Sequence, residues 1–104
     1  MTLPVAVDRA AARDIADAAK WYRASGPGLG DGFLRAVQVG LARIGRTPLA
    51  YPVVDEDVRR VLLGRFPFAL FYLVERERVV VVACLHGRRS PGVWLRRVRS
   101  FRGQ

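Results

Sequence analysis

Cysteine and histidine are almost missing from this chain, which has one of each, Cys84 and His86, in 104 residues. A lone cysteine closes no internal disulfide, and one His with one Cys falls short of the four ligands of a structural zinc site. No metal and no cofactor is expected. Cys84 lies in the apolar run 79–85, where a thiol reads as a small core hydrophobe rather than a reactive group. Long apolar runs are missing too: no segment of eighteen or more apolar residues occurs, and Met1-Thr2-Leu3-Pro4-Val5 has neither a basic n-region nor a long apolar stretch. Neither a membrane span nor a secretory leader is expected, which assigns the protein to the cytoplasm. Acidic residues vanish from the last quarter of the chain. All nine Asp and Glu fall between Asp8 and Glu77, whereas seven arginines and no acid lie between Arg78 and Gln104.

What is present is a short, apolar and strongly basic chain, 51% hydrophobic with a net charge of +9. That length suits one domain over residues 1–104. The charge draws it toward nucleic acid, the ribosome or an acidic protein. Its C-terminal arginines are interleaved with Trp94, Leu95, Val98 and Phe101. A tail that only solvates carries few aromatics, so this one reads as a basic surface for an acidic partner.

Hydrophobic spacing sets out an α+β order. Residues 3–7 are short and apolar, as a brief strand is, and Asp8 then offers a helix cap. Ala11, Ile15, Ala18 and Tyr22 share one helical face over residues 9–25; after the breaker Ser25-Gly26-Pro27-Gly28, Leu34, Val37, Leu41 and Ile44, flanked by Phe33, form a second stripe closed by Thr47-Pro48. Two such helices joined by a short turn make an antiparallel hairpin that needs a further surface to cover it. Beyond Asp55-Glu56-Asp57, residues 58–64, 66–74 and 78–86 read as three strands of an antiparallel meander. The middle one alternates Phe68, Leu70, Tyr72 and Val74 with Ala69, Phe71 and Leu73, so it is apolar on both faces and belongs at the centre, with Pro67 at its start. Residues 91–102 carry Trp94, Val98 and Phe101 at helical spacing, enough for one or two turns in the basic tail.

Several local sequences fit this order: Trp21-Tyr22, Pro48-Leu49-Ala50-Tyr51-Pro52, Val58-Arg59-Arg60-Val61, Arg65-Phe66-Pro67-Phe68 with Leu70-Phe71-Tyr72, and His86-Gly87-Arg88-Arg89-Ser90-Pro91 with Trp94. Together they resemble the ParE/RelE superfamily, toxins of type II toxin–antitoxin systems, and within it the ParE-like plasmid-stabilisation proteins. The resemblance spans nearly the whole chain. It implies growth inhibition, a cognate antitoxin bound as a toxin–antitoxin hetero-oligomer, and one of two targets. ParE-type members poison DNA gyrase; RelE-type members cleave messenger RNA on the ribosome, and only they would engage nucleic acid.

Metal-free RNA cleavage needs a group that orients or deprotonates the 2′-hydroxyl, cations on the transition state and an acid for the leaving oxygen. RelE-type enzymes resembling this chain have an arginine just before the aromatic core of the middle strand, where Ala69 stands here. That substitution favours gyrase inhibition without chemistry, with a RelE-like endoribonuclease as the alternative. For the alternative the catalytic candidates are His86, the one side chain with an ordinary pKa near neutrality, with Arg65 and Arg88. His86 also suits a plain strand cap. Because Arg65 opens the middle strand and Arg88 follows the last, the two are expected at opposite ends of an antiparallel pair, joined only by a folded-back loop. Arg59 and Arg60 face opposite sides of their strand, so at most one shares a site with Arg88. Candidate partner contacts are Trp21, expected partly exposed, with Arg89, Trp94, Arg96, Arg97, Arg99 and Arg102 of the tail. For Trp94 the favoured reading is a pin holding the tail to the sheet.

Overall fold

A computed structural model of the chain describes residues 2–89 and 91–103. Ser90, inside the Arg-rich segment before Pro91, lies outside the described residues. The element order is β1 (Val5–Val7), α1 (Arg9–Ser25), α2 (Leu29–Arg46), β2 (Val53–Asp55), β3 (Val58–Leu62), β4 (Phe68–Val74), β5 (Val79–His86) and α3 (Pro91–Arg102). This is the α+β arrangement expected, with the helical hairpin on a sheet built around a meander.

Both helices are held by their apolar faces. On α1 the buried set is Ala11, Ala18, Ala19 and Tyr22, and small side chains there let the partner helix come close. A Cβ on Gly30 would stand 3.2 Å from the Ala19 carbonyl, so glycine sets the hairpin's crossing. Gly28 opens α2 at φ 75°, a left-handed conformation that a residue with a side chain rarely adopts. On α2 the buried line runs Phe33, Val37, Gly40 and Ile44. Leu34 and Leu41 pack at its flank, so the stripe is turned slightly from the expected one.

The sheet has five strands rather than three, in the order β1-β5-β4-β3-β2. β3, β4 and β5 form the antiparallel meander, and β4 is its centre. β1 adds in parallel to β5 through Val5–Val79 and Val7–Val81. β2 adds to the other side, turning into β3 at Glu56-Asp57 with Glu56 at φ 50°. A register shift between Phe71 and Tyr72 against β5 places Val82 and Ala83 on the same face.

That sheet separates two apolar layers. Phe66, Leu70, Tyr72, Val81 and Cys84 pack with α1 and α2, while Ala69, Phe71, Leu73, Val82 and Leu85 lie under α3. Helix α3 runs three turns, longer than the one or two expected, because Trp94 and Val98 have an apolar face to bury against. Trp94 is stacked on Phe71, ring centres 5.3 Å apart.

Candidate functional site

The candidate basic residues fall at two places, and the first is the end of the sheet where β3 stops, β4 begins and β5 finishes. Arg65 and Arg88 were expected at opposite ends of an antiparallel pair; they are not. Antiparallel neighbours run head to tail, so the start of one lies beside the end of the other. Phe68 pairs with His86, and the Gly87 N–H donates to the Pro67 carbonyl at 2.8 Å.

The side chains nonetheless diverge. His86, Arg88 and Arg60 line one concavity of about 280 Å³ together with Leu62 and Phe68. Arg65 is turned the other way, its guanidinium 5.2 Å from the Phe66 ring centre and its Nη2 against Gly32 of α2. Of the neighbouring pair on β3, Arg60 shares the space with Arg88, while Arg59 donates to the Tyr51 carbonyl at 2.6 Å on the other face. The Arg88 N–H donates to His86 Nδ1 at 3.2 Å, which ties the imidazole to the loop that follows it. Ala69 is wholly buried in the layer beneath α3.

The second basic place is α3, and its arginines divide into two sets. Arg97 is committed inside the molecule: its guanidinium grips the Asp14 carboxylate at 2.6 and 3.1 Å and reaches the Val82 carbonyl at 3.3 Å. Asp14 in turn accepts the Cys84 N–H at 3.0 Å. Arg102 pairs with Asp57 at the surface. Arg96 and Arg99 are exposed, as is Arg89 before the helix. Trp94 is only 4% exposed, so it meets a partner only if α3 lifts from the sheet. Trp21, by contrast, is 63% exposed on α1, its ring set edge-on to Tyr22.

Burial raises the pKa values of three acids, Tyr22, Tyr72 and Cys84. Burial pushes the Tyr72 hydroxyl up to about 12 against a smaller opposite pull from Arg59, and the hydroxyl donates to the Pro48 carbonyl at 2.7 Å. Burial, with the Asp14 carboxylate as a lesser cause, pushes the Cys84 thiol up to about 12. Neither is available as a nucleophile at neutral pH. No group of three His, Cys, Asp or Glu side chains is placed to hold a metal among the described residues, nor is any helix long and apolar enough to cross a membrane.

Asp14, Arg43 and Leu62 are not singled out by the sequence. Asp14 carries a faint signal, an acid one residue from Ile15 on the buried flank of α1. Leu62, 58% exposed at the end of β3, continues an apolar strand pattern and gives none.

A family model described as the ParE toxin of the parDE type II toxin–antitoxin system matches residues 5–91. No curated protein matches the chain. A solved chain described as belonging to the chromosomal ParDE TA system from P. aeruginosa superposes with a TM-score of 0.60 at 19% identity, over 82% of this chain and 96% of that one. At that identity the likeness is one of fold.

Proposed function

This chain belongs to the ParE toxin family of type II toxin–antitoxin systems, and on that premise we propose that it arrests growth by inhibiting DNA gyrase and is neutralised by a cognate acidic antitoxin. The observation that supports a target without chemistry is the position of Ala69. It stands where the nuclease members it resembles carry an arginine, and it is wholly buried in the apolar layer with Leu85 and Trp94. A cation at that position would be buried in a layer that offers it no partner. Arg65, a second cation a nuclease would use, is turned toward Phe66 and Gly32. Losing one electrostatic group of an active site commonly costs about 10²–10³ in rate. A binding surface tolerates both features. The exposed side chains Trp21, Arg89, Arg96 and Arg99 are the contacts we assign to partners, in the cytoplasm where gyrase works.

The endoribonuclease reading keeps one observation in its favour, the shared concavity of His86, Arg60 and Arg88. One pair of assays separates the two. Purified protein is expected to stall gyrase-catalysed supercoiling and to leave ribosome-bound message intact on primer extension. Codon-phased cuts that vanish in His86→Ala would reverse the assignment; cuts that persist in that variant would keep the nuclease class and remove His86 from it. Growth must also stop when the chain is expressed alone. A folded, soluble chain that is harmless at high expression contradicts the toxin reading altogether.

A further inference from the structure

Helix α3 lies on the sheet by one line of side chains. Trp94 and Val98 are buried in the layer with Phe71 and Val82, and Phe101 packs against the same layer. A helix turns once every 3.6 residues, so burying 94, 98 and 101 sends Gly92, Arg96, Arg99 and Gly103 to the opposite side. All four are exposed. The other two arginines of α3 leave by its flanks, Arg97 to Asp14 and Arg102 to Asp57.

The outer line is cationic and otherwise bare. Arg96 and Arg99 stand about one turn apart between two glycines, and the Arg96 guanidinium lies back over Gly92, its Nη2 partner Nη1 being 3.5 Å from where a Cβ there would stand. It leans toward the turn that carries exposed Arg89. No Asp or Glu follows Glu77 in the chain. Among the described residues no salt bridge engages Arg89, Arg96 or Arg99. The exposed large apolar side chains, Trp21, Val39, Leu49, Val53 and Leu62, all lie outside α3.

We propose that the outer line of α3, with Arg89, Arg96 and Arg99, binds the phosphate backbone of duplex DNA without reading its bases. It deepens the gyrase reading above and rests on it for the source of the duplex, since gyrase works on DNA. A protein partner fits this line less well, because the centre of a protein interface is apolar and poor in charge, and here the centre is two arginines. Phosphate needs only cations and room to approach, which arginines flanked by glycines supply. A single strand fits less well too. Binding one takes rings on which bases stack, whereas Trp94 is stacked on Phe71 and Phe101 is half-buried. The Trp94 stack and the Asp14–Arg97 pair hold α3 in place, so the cations are positioned before the duplex arrives.

The test is fluorescence anisotropy of a labelled, mixed-sequence DNA duplex titrated with the intact chain at two salt concentrations. Three phosphate contacts release about 0.9 counterion each, so affinity is expected to fall about fortyfold between about 50 and 200 mM salt. Arg96→Gln with Arg99→Gln is expected to melt like the parent, to bind at least about tenfold more weakly at the lower salt, and to lose only about fourfold over the same range, as one remaining contact requires. Arg43→Gln with Arg46→Gln removes the same charge from α2, on the other face of the sheet and screened from a duplex on α3, and is expected to bind within about twofold of the parent. Equal losses in the two double variants, an unchanged salt dependence in the first, tighter binding of a single strand of the same length, or tighter binding of a Glu-rich peptide of equal charge overturns the proposal. Gyrase is absent from the titration, so failure here and failure of the supercoiling assay are seen separately.

Discussion

The edge of β5 and the edge of β3 pose one problem and meet it differently. Each flanking strand is short: β1 pairs with β5 only from Val79 to Val81, and β2 leaves β3 at Arg60. Past Val81 the helices take over from the strand. Asp14 of α1 accepts from Cys84 and Arg97 of α3 donates to Val82, so a side-chain ion pair occupies the place of a further strand and joins helices lying on opposite faces of the sheet. Past Arg60 nothing comparable happens, and the edge ends in exposed Leu62 among arginines. A sealed edge has its backbone groups satisfied from within the molecule, whereas an open one leaves them to solvent.

The largest effect tests what holds the sealed side. Trp94 stacks on Phe71 and anchors α3, from which Arg97 projects. Trp94→Ala is expected to cost about 3–5 kcal/mol, the usual range for deleting a buried aromatic. A thermal melt followed by circular dichroism that moved by only a degree or two would show that α3 contributes little to the fold. Next comes the ion pair itself. Asp14→Ala strands a mostly buried guanidinium and removes the acceptor of the Cys84 N–H, for which about 2–3 kcal/mol is expected, short of a fully buried pair because both side chains keep some exposure. Adding Arg97→Ala should restore part of that loss; a strictly additive double variant would mean the two residues act independently.

Cys84 reports on the same seal without perturbing it. Its pKa in the folded chain is about 12, against 9.0 for the free thiol. A raised folded value means the neutral thiol favours the folded state: that stability is complete below pH 9 and is lost as the pH rises toward 12. Tyr72 behaves in the same sense between 10.0 and about 12. Stability should therefore fall steadily through this alkaline window. At neutral pH the thiol should resist a disulfide reagent in the parent and react faster in Asp14→Ala; equal rates would show that opening elsewhere controls access.

How much of this could be read from the sequence follows from where each signal resides. β4 was legible because Phe68 to Val74 is apolar on both faces, which only a central strand needs. β2 was not, since three residues after Pro52 carry no periodicity and become a strand only through β3 and the turn at Glu56-Asp57. The length of α3 depended on the apolar face of β4 and β5 that it covers. Within the candidate site, the exposure of Trp21 and the split of Arg59 from Arg60 came from helix and strand periodicity alone. The Asp14–Arg97 pair, 83 residues apart, left only an acid beside Ile15 and an arginine among many. The nearness of Arg65 to Arg88 was misjudged from strand direction, although direction alone would have given it.

The smallest expected effect is also the sharpest contrast. Leu62 and Val61 are neighbours on β3, with the same strand geometry and opposite surroundings: Leu62 is 58% exposed and Val61 is 3% exposed in the layer under α2. Val61→Asp puts a carboxylate among Leu70, Tyr72 and Ile44 without a partner, and a loss of several kcal/mol or outright unfolding is expected, as for an unpaired buried charge. Leu62→Asp removes apolar contact that is mostly with water and sets the new carboxylate beside Arg60, Arg43 and Arg88. A surface change of this kind stays within about 0.5 kcal/mol, and attraction to those arginines pushes it toward stabilisation. Denaturant midpoints of the two variants measure the contrast directly. If Leu62→Asp destabilised the chain as much as Val61→Asp, the Leu62 edge would be part of the fold's own packing rather than an edge left to solvent.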